Sequence, residues 1–163
     1  PDRGGLSIHK FSDDAFIKDV WFRITSDNGY SQDVATNSMG TIELADLDIV
    51  NDNNEYVKYT IEELGFKDAN GNYYIPKRYT SEGPKTVTLK NDGTVTVSFN
   101  NSIDTVGLNI IKNAEDKNVS GIYFKVTAST GKEYTVVSDE NGKASVTGLP
   151  AYDTDDNIIT YSF

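Results

Sequence analysis

The chain contains no cysteine, and this removes disulfides, thiol nucleophiles and cysteine-based metal sites together. A β protein exposed to an oxidising exterior usually relies on disulfides, so if this chain works there it is stabilised by another route. Histidine is nearly absent too: His9 is the only one, and no Ser–His–Asp triad or His-based metal cluster can be built on it. No apolar run is long enough to span a bilayer, and no signal peptide is visible. Basic residues are outnumbered 15 to 25 by acidic ones, for a net charge of −10. That balance argues against nucleic acid and anionic membrane surfaces as partners, both of which need clustered Lys and Arg. It fits a solubilising surface charge. The start at Pro1-Asp2-Arg3, without Met, reads as a piece cut from a longer precursor.

What is present is a succession of short Val-, Ile-, Thr-, Tyr- and Phe-rich runs broken by Gly, Asn and Asp, which predicts an all-β fold. Strands are expected at Leu6–Lys10, Val20–Thr25, Gln32–Ala35, Thr41–Leu44 and Tyr56–Glu63. Asp46–Glu55 reads as an acidic, Asn-rich loop, and Tyr73–Tyr79, interrupted by Pro76, as an edge or loop. Lys85–Leu89 and Thr94–Asn101 are expected to form a hairpin across Lys90-Asn91-Asp92-Gly93. No amphipathic helix is evident; at most one turn is expected near Asp13–Ile17.

The sequence then repeats without gaps. Gly5-Leu6-Ser7-Ile8-His9-Lys10 returns as Gly107-Leu108-Asn109-Ile110-Ile111-Lys112, and Val20–Thr25 returns as Ile122–Thr127, always 102 positions on (112 − 10, 124 − 22). One fixed period means tandem copies of one β domain, here 1–103 and 104–163, joined by a short linker near Ser102–Val106. In the second copy Phe163 corresponds to Ile61, so the expected domain stops before the counterparts of Glu63 and Asn101.

Strand parity singles out three residues. Val95, Val97 and Phe99 alternate with polar residues, and the same parity puts Asn101 on the apolar face. Leu6 and Ile8 carry Lys10 inward, and Tyr59 and Ile61 carry Glu63 inward, leaving Glu62 outside. Lys and Glu are almost never fully buried unless paired, so a Lys, a Glu and an Asn on core faces of one small domain suggest a shared site. Two arrangements satisfy them. One is a buried Lys–Glu ion pair with an amide hydrogen-bonded beside it. The other is covalent: burial disfavours charge, a neutral lysine amine is a nucleophile, and a protonated carboxyl can donate to the Asn carbonyl and shuttle protons as ammonia leaves. The product, a Lys–Asn amide, needs no cofactor, because folding supplies proximity. It constrains the chain as a disulfide does, without redox sensitivity.

These residues resemble the Cna protein B-type (SpaA-like, prealbumin-type) repeat domains of Gram-positive pilins and surface adhesins. Gly5–Lys10 is similar to that family's opening strand, Tyr59-Thr60-Ile61-Glu62-Glu63 to its Tyr-x-x-x-Glu box, and Thr94–Asn101 to its closing strand. The resemblance implies tandem Greek-key β-sandwich domains, with Lys10 as nucleophile, Asn101 as electrophile and Glu63 as proton shuttle of an autocatalytic isopeptide bond. The second copy supplies only its lysine, Lys112. The usual Thr-x-Ala-Pro-x-Gly-Tyr after the Glu is replaced by Leu64-Gly65-Phe66-Lys67-Asp68 and a longer insert. The function implied is a stalk or backbone module of a secreted, sortase-attached cell-wall protein. Such a module turns over no external substrate, is not an enzyme beyond its own cross-link, takes no cofactor and has neighbouring domains of the same protein as partners.

Two other functional classes stay open on the sequence: an adhesin domain binding host glycan or matrix protein, and an accessory module of a secreted polysaccharide-degrading enzyme. For the first, Trp21 has outward parity and could offer an aromatic platform, as could the Asp46–Glu55 loop. Asp68-Ala69-Asn70-Gly71-Asn72 resembles the start of a calcium loop, but Tyr79 stands where the bidentate Glu belongs, so a plain turn is expected. The acidic runs Asp46–Glu55 and Asp153–Asp156 read as solvated loops without a bound metal.

Overall fold

The computed structural model describes residues 2–163, and every regular element among them is a β-strand. The chain divides into two compact units, Pro1–Ser102 and Ile103–Phe163.

The first unit is a β-sandwich. One sheet has the order β4-β1-β9-β7, formed by β1 (Arg3–Ser12), β4 (Thr41–Asp48), β7 (Tyr79–Thr80) and β9 (Thr94–Ile103). The other has the order β3-β2-β5-β6, with β2 (Trp21–Ser26), β3 (Ser31–Ala35), β5 (Tyr59–Lys67) and β6 (Tyr73–Tyr74); β8 (Lys85–Val87) also pairs with β5. Leu6 and Ile8 of β1, Phe22 and Ile24 of β2, Tyr59 and Ile61 of β5 and Val97 and Phe99 of β9 alternate into one core. The Phe22 and Phe99 rings meet across the two sheets, centroids 5.1 Å apart.

The first and last long strands are neighbours and run parallel: Gly5 pairs with Thr94, and the register continues to Lys10↔Phe99 and Ser12↔Asn101. The expected hairpin between Lys85–Leu89 and Thr94–Asn101 is therefore not formed. β8 pairs with β5 in one sheet, and β9 pairs with β1 in the other. The Asp-Gly turn is present, with Gly93 N donating to Lys90 O, but the chain crosses between sheets there. A turn signal fixes a local reversal and leaves the pairing partner to the core. β4 runs further than expected, to Asp48, which shortens the acidic loop, and β5 is shifted to Tyr59–Lys67.

The second unit has a two-stranded sheet of β10 (Thr105–Ile111) and β13 (Lys143–Pro150). Its three-stranded sheet has the order β12-β11-β14, from β11 (Tyr123–Ala128), β12 (Glu133–Val137) and β14 (Tyr161–Ser162). Its core holds Ile110, Val126, Val136 and Ala144. Its registers reproduce those of the first unit at the 102-residue offset. Leu6↔Leu44 matches Leu108↔Val146, Phe22↔Val34 matches Phe124↔Val136, and the β-bulge at Gly4/Leu6 matches that at Val106/Leu108. The Tyr59 hydroxyl donates to Asp48 O, and the Tyr161 hydroxyl to Pro150 O, each at 2.6 Å.

Gly40 shows why one period is kept so strictly. Its φ is +76°, and a Cβ there would lie 2.7 Å from the carbonyl oxygen of Lys10. Its own carbonyl accepts from Lys10 N at 2.7 Å. Gly142 (φ +78°) does the same for Lys112, also at 2.7 Å. Only glycine combines the left-handed backbone with that approach.

Candidate functional site

Three strands in two sheets supply the buried polar residues of the first unit. Lys10 ends the apolar run of β1, and Asn101 follows Phe99 on the same face of the adjacent β9. Because Lys10 is level with Phe99, Asn101 stands one inward position further along the neighbouring strand. Glu63 comes from β5 in the facing sheet, opposite Phe22 of β2. Lys10 Nζ lies 2.9 Å from Glu63 Oε1, the two side chains being 0% and 2% exposed, and Asn101 is fully buried.

Lys10 and Glu63 form a buried ion pair, and beyond that contact Lys10 Nζ, both carboxylate oxygens of Glu63, and Oδ1 and Nδ2 of Asn101 have no hydrogen-bond partner among the described residues. Buried polar side chains are normally satisfied, so five such atoms on three strands of one core call for an explanation. Burial pulls the Lys10 pKa below the ordinary lysine value. The neighbouring Glu63 carboxylate, and after it Glu82 and Asp14, act in the opposite direction. A core that lowers the amine's pKa beside a carboxyl and a primary amide provides a nucleophile, a proton carrier and an acyl group.

A second polar cluster borders the first. Asp14, two residues beyond β1, accepts from Tyr79 Oη at 2.5 Å and Arg78 Nε at 3.2 Å through Oδ2, and from Ser12 Oγ at 2.8 Å and Phe16 N at 3.2 Å through Oδ1. Burial raises the Asp14 pKa, and these hydrogen bonds outweigh it, leaving the carboxyl below its ordinary value. Arg78 and Tyr79 are 8% and 6% exposed. Burial and the bond to Asp14 push the Tyr79 hydroxyl up to about 12.

Sequence reasoning missed this cluster. The insert after Glu63 is a β5–β6 excursion, Phe66↔Tyr74 and Lys67↔Tyr73, turning at Asp68, whose Oδ1 accepts from the backbone of Asn70 and Asn72. Gly65 allows it: its φ is +88°, and a Cβ would meet Tyr74 O at 2.1 Å. After the excursion the chain delivers Pro76-Lys77-Arg78-Tyr79. These residues lead directly into β7 and carry two of the cluster's members, Arg78 and Tyr79. The Pro–Tyr spacing was the available signal.

The other candidates stand apart. Trp21 is half-buried, its ring 5.9 Å from that of Tyr73, with Lys67 Nζ 3.8 Å from its centroid. His9 is half-buried, its ring 6.5 Å from that of Phe11, because the two side chains share the outer face of β1. Lys112 is half-buried just past β10. Among the described residues, no group of three or more His, Cys, Asp or Glu is placed to hold a metal ion. No helix among them is long and apolar enough to cross a membrane.

No family model and no curated protein matches the chain. Solved structures do. The Bacillus anthracis TIE protein superposes with a TM-score of 0.56 at 23% identity over 92% of this chain, which spans 26% of that one. Weaker likenesses are a streptococcal ancillary pilin (19% identity, 92% of this chain and 51% of that one, TM-score 0.46) and the shaft pilin SpaA of Lactobacillus rhamnosus GG (16%, 98% and 78%, TM-score 0.45). The likeness to the TIE protein is one of fold, and the fold is the β-sandwich described above.

Proposed function

We propose that this chain is a stalk or backbone module of a bacterial cell-surface adhesin or pilin, extracellular and cell-wall anchored through its parent protein. In this reading its two units are copies of one Cna B-type domain, and the first is locked by an isopeptide bond between Lys10 and Asn101. The supporting observation is a buried Lys10–Glu63 ion pair at 2.9 Å together with the buried Asn101 on the neighbouring strand, whose side-chain polar atoms have no other hydrogen-bond partner. As a non-covalent arrangement it offsets the desolvation of Lys10 and Glu63 only through their one ion pair and leaves the Asn101 amide without a partner. As reactants the same groups are complete.

The step balances without a co-reactant. Glu63 takes a proton from the Lys10 ammonium, and the freed Nζ attacks Cγ of Asn101. Glu63 returns that proton to the amide nitrogen, takes the second proton that Nζ sheds as the new amide forms, and passes it to the departing ammonia, which leaves as ammonium. The Nζ–Cγ bond forms, the Cγ–Nδ2 bond breaks, and Glu63 ends as it began.

The position of the bond suits load-bearing. β1 and β9 are parallel neighbours and are the first and last long strands of the unit. A bond from Lys10 to Asn101 carries tension from one to the other and bypasses everything from Phe11 to Asn100. Neighbouring domains of the same protein are the partners this requires. The glycan- or matrix-binding alternative has no comparable support, since a face of Trp21 is covered by the Lys67 ammonium.

The deciding experiment is the intact mass of the denatured chain. A deficit of one ammonia, absent from Lys10→Ala and Asn101→Ala relative to their own calculated masses, is the expected result. The full calculated mass for the parent chain overturns the reading.

A further inference from the structure

The Asp14–Arg78–Tyr79 cluster has a definite place relative to the reacting groups. β9 lies between β1 and β7 in its sheet, so the strand carrying Asn101 is flanked by Ser12 of β1 on one side and by the Tyr79–Thr80 strand on the other. Past the end of β1 the chain turns back over β9: Asp13 N donates to Asn101 O at 3.1 Å. The next carboxylate, Asp14, takes Ser12 Oγ with one oxygen and Tyr79 Oη and Arg78 Nε with the other. β1 and β7 are thereby tied to each other across β9 at the level of Asn101. The Arg78 guanidinium is packed between rings, 4.6 Å from the Tyr79 centroid and 5.4 Å from that of Phe16.

We propose that Asp14, Tyr79 and Arg78 form a clasp that positions Asn101 for attack by Lys10, and that Arg78 offsets the Asp14 charge that would otherwise hold Lys10 protonated. The inference rests on the isopeptide reading. The three are positioning residues: they act through the backbone of β9 and through the field at Lys10, not on the reacting atoms.

The charged groups around Lys10 come from every neighbouring element. Glu63 on β5 is in contact with it, and Asp14 and Glu82 add negative charge from the turns after β1 and β7. Glu82 is already paired to Lys85 at 2.5 Å, and Lys85 Nζ also lies over the Phe99 ring and donates to Ser98 O. Asp14 is ion-paired to Arg78 at 3.2 Å, and both are largely buried, so its charge is poorly screened by solvent if Arg78 is lost.

The test uses the full chain, recovered unreacted from denaturant and diluted into native buffer across a pH series, with ammonia loss followed by intact mass. Arg78→Gln is expected to react about tenfold more slowly at neutral pH and to move the pH midpoint upward by about one unit, the change that follows when the neutral-amine fraction falls tenfold. Arg78→Lys, which keeps the charge, should retain the parent's midpoint. Tyr79→Phe, which keeps the ring and loses the bond to Asp14, should react more slowly with the midpoint unchanged. If Arg78→Gln does not fold, the Tyr79→Phe rate decides the clasp. Parental rates and midpoints in both variants overturn the clasp alone. An equal slowing of Arg78→Gln and Arg78→Lys at every pH overturns the charge role. A parent chain that never loses ammonia overturns the isopeptide reading, and the clasp with it.

Discussion

Lys10 Nζ lies 2.9 Å from Glu63 Oε1, inside a core that leaves the two side chains 0% and 2% exposed, and neither atom has a further hydrogen-bond partner among the described residues. A buried ion pair recovers its desolvation cost only where further hydrogen bonds satisfy its remaining atoms, and here none is made.

Glu63→Gln should leave the intact mass at its calculated value, because the amide cannot carry the proton between Lys10 and the departing ammonia. It also strands a buried amine. Denaturant titration should show a loss larger than that of Asn101→Ala by roughly 3–5 kcal/mol, the usual cost of breaking a buried ion pair from one side. A Glu63→Gln chain that still loses ammonia would remove Glu63 from the mechanism.

Lys10→Met keeps the stem volume and gives up both the charge and the bond. Closing a loop of about 100 residues contributes roughly 4–5 kcal/mol in the chain-entropy account. For a domain of this size that is on the order of 20 °C or more in Tm. Calorimetry should show one transition falling by about that amount, while the transition of the second unit stays in place.

Under tension applied through the two ends, the parent chain should release no extension from Phe11 to Asn100. Asn101→Ala should release about 300 Å, the contour length of that segment at 3.3–3.6 Å per residue. Single-molecule force spectroscopy reads this directly, and a full-length release in the parent chain would contradict the cross-link.

Alkaline stability depends on two buried hydroxyls. Burial, and then the Asp48 charge, raises Tyr59 from 10.0 to about 12, and burial with the Asp14 bond does the same for Tyr79. A pKa raised in the folded state means that the unfolded chain ionises first. The stabilisation is therefore complete below pH 10 and is lost as the pH rises toward 12. Tyr59→Phe should flatten that loss, at a cost of about 1 kcal/mol at neutral pH for the bond to Asp48 O. Denaturant midpoints at stepped pH values check it.

Gly40→Ala should destabilise the first unit by more than about 1 kcal/mol, since it combines a φ of +76° with a 2.7 Å approach to Lys10 O. The same substitution at Gly142 should act on the second unit, where the approach to Lys112 O is 2.4 Å. Local hydrogen-exchange protection would report each separately.

Some of this was readable from residue order alone. Side chains alternate strictly along a strand, so the sequence by itself determined which residues of β1, β5 and β9 face inward, including Lys10, Glu63 and Asn101. It also determined the 102-residue repeat, because equal spacing of Gly40 and Gly142, or of Tyr59 and Tyr161, survives any packing. Pairing partners were decided only by the tertiary structure. β9 pairs with β1, roughly ninety residues away, and not with the adjacent β8, because burying Val97 and Phe99 against Phe22 outweighs the short turn at Asp92-Gly93. The Asp14–Arg78–Tyr79 cluster depends on the same step. Asp14 is more than sixty residues from Arg78 and Tyr79, and they meet only once β7 and β1 flank β9, a relation that no local pattern encodes.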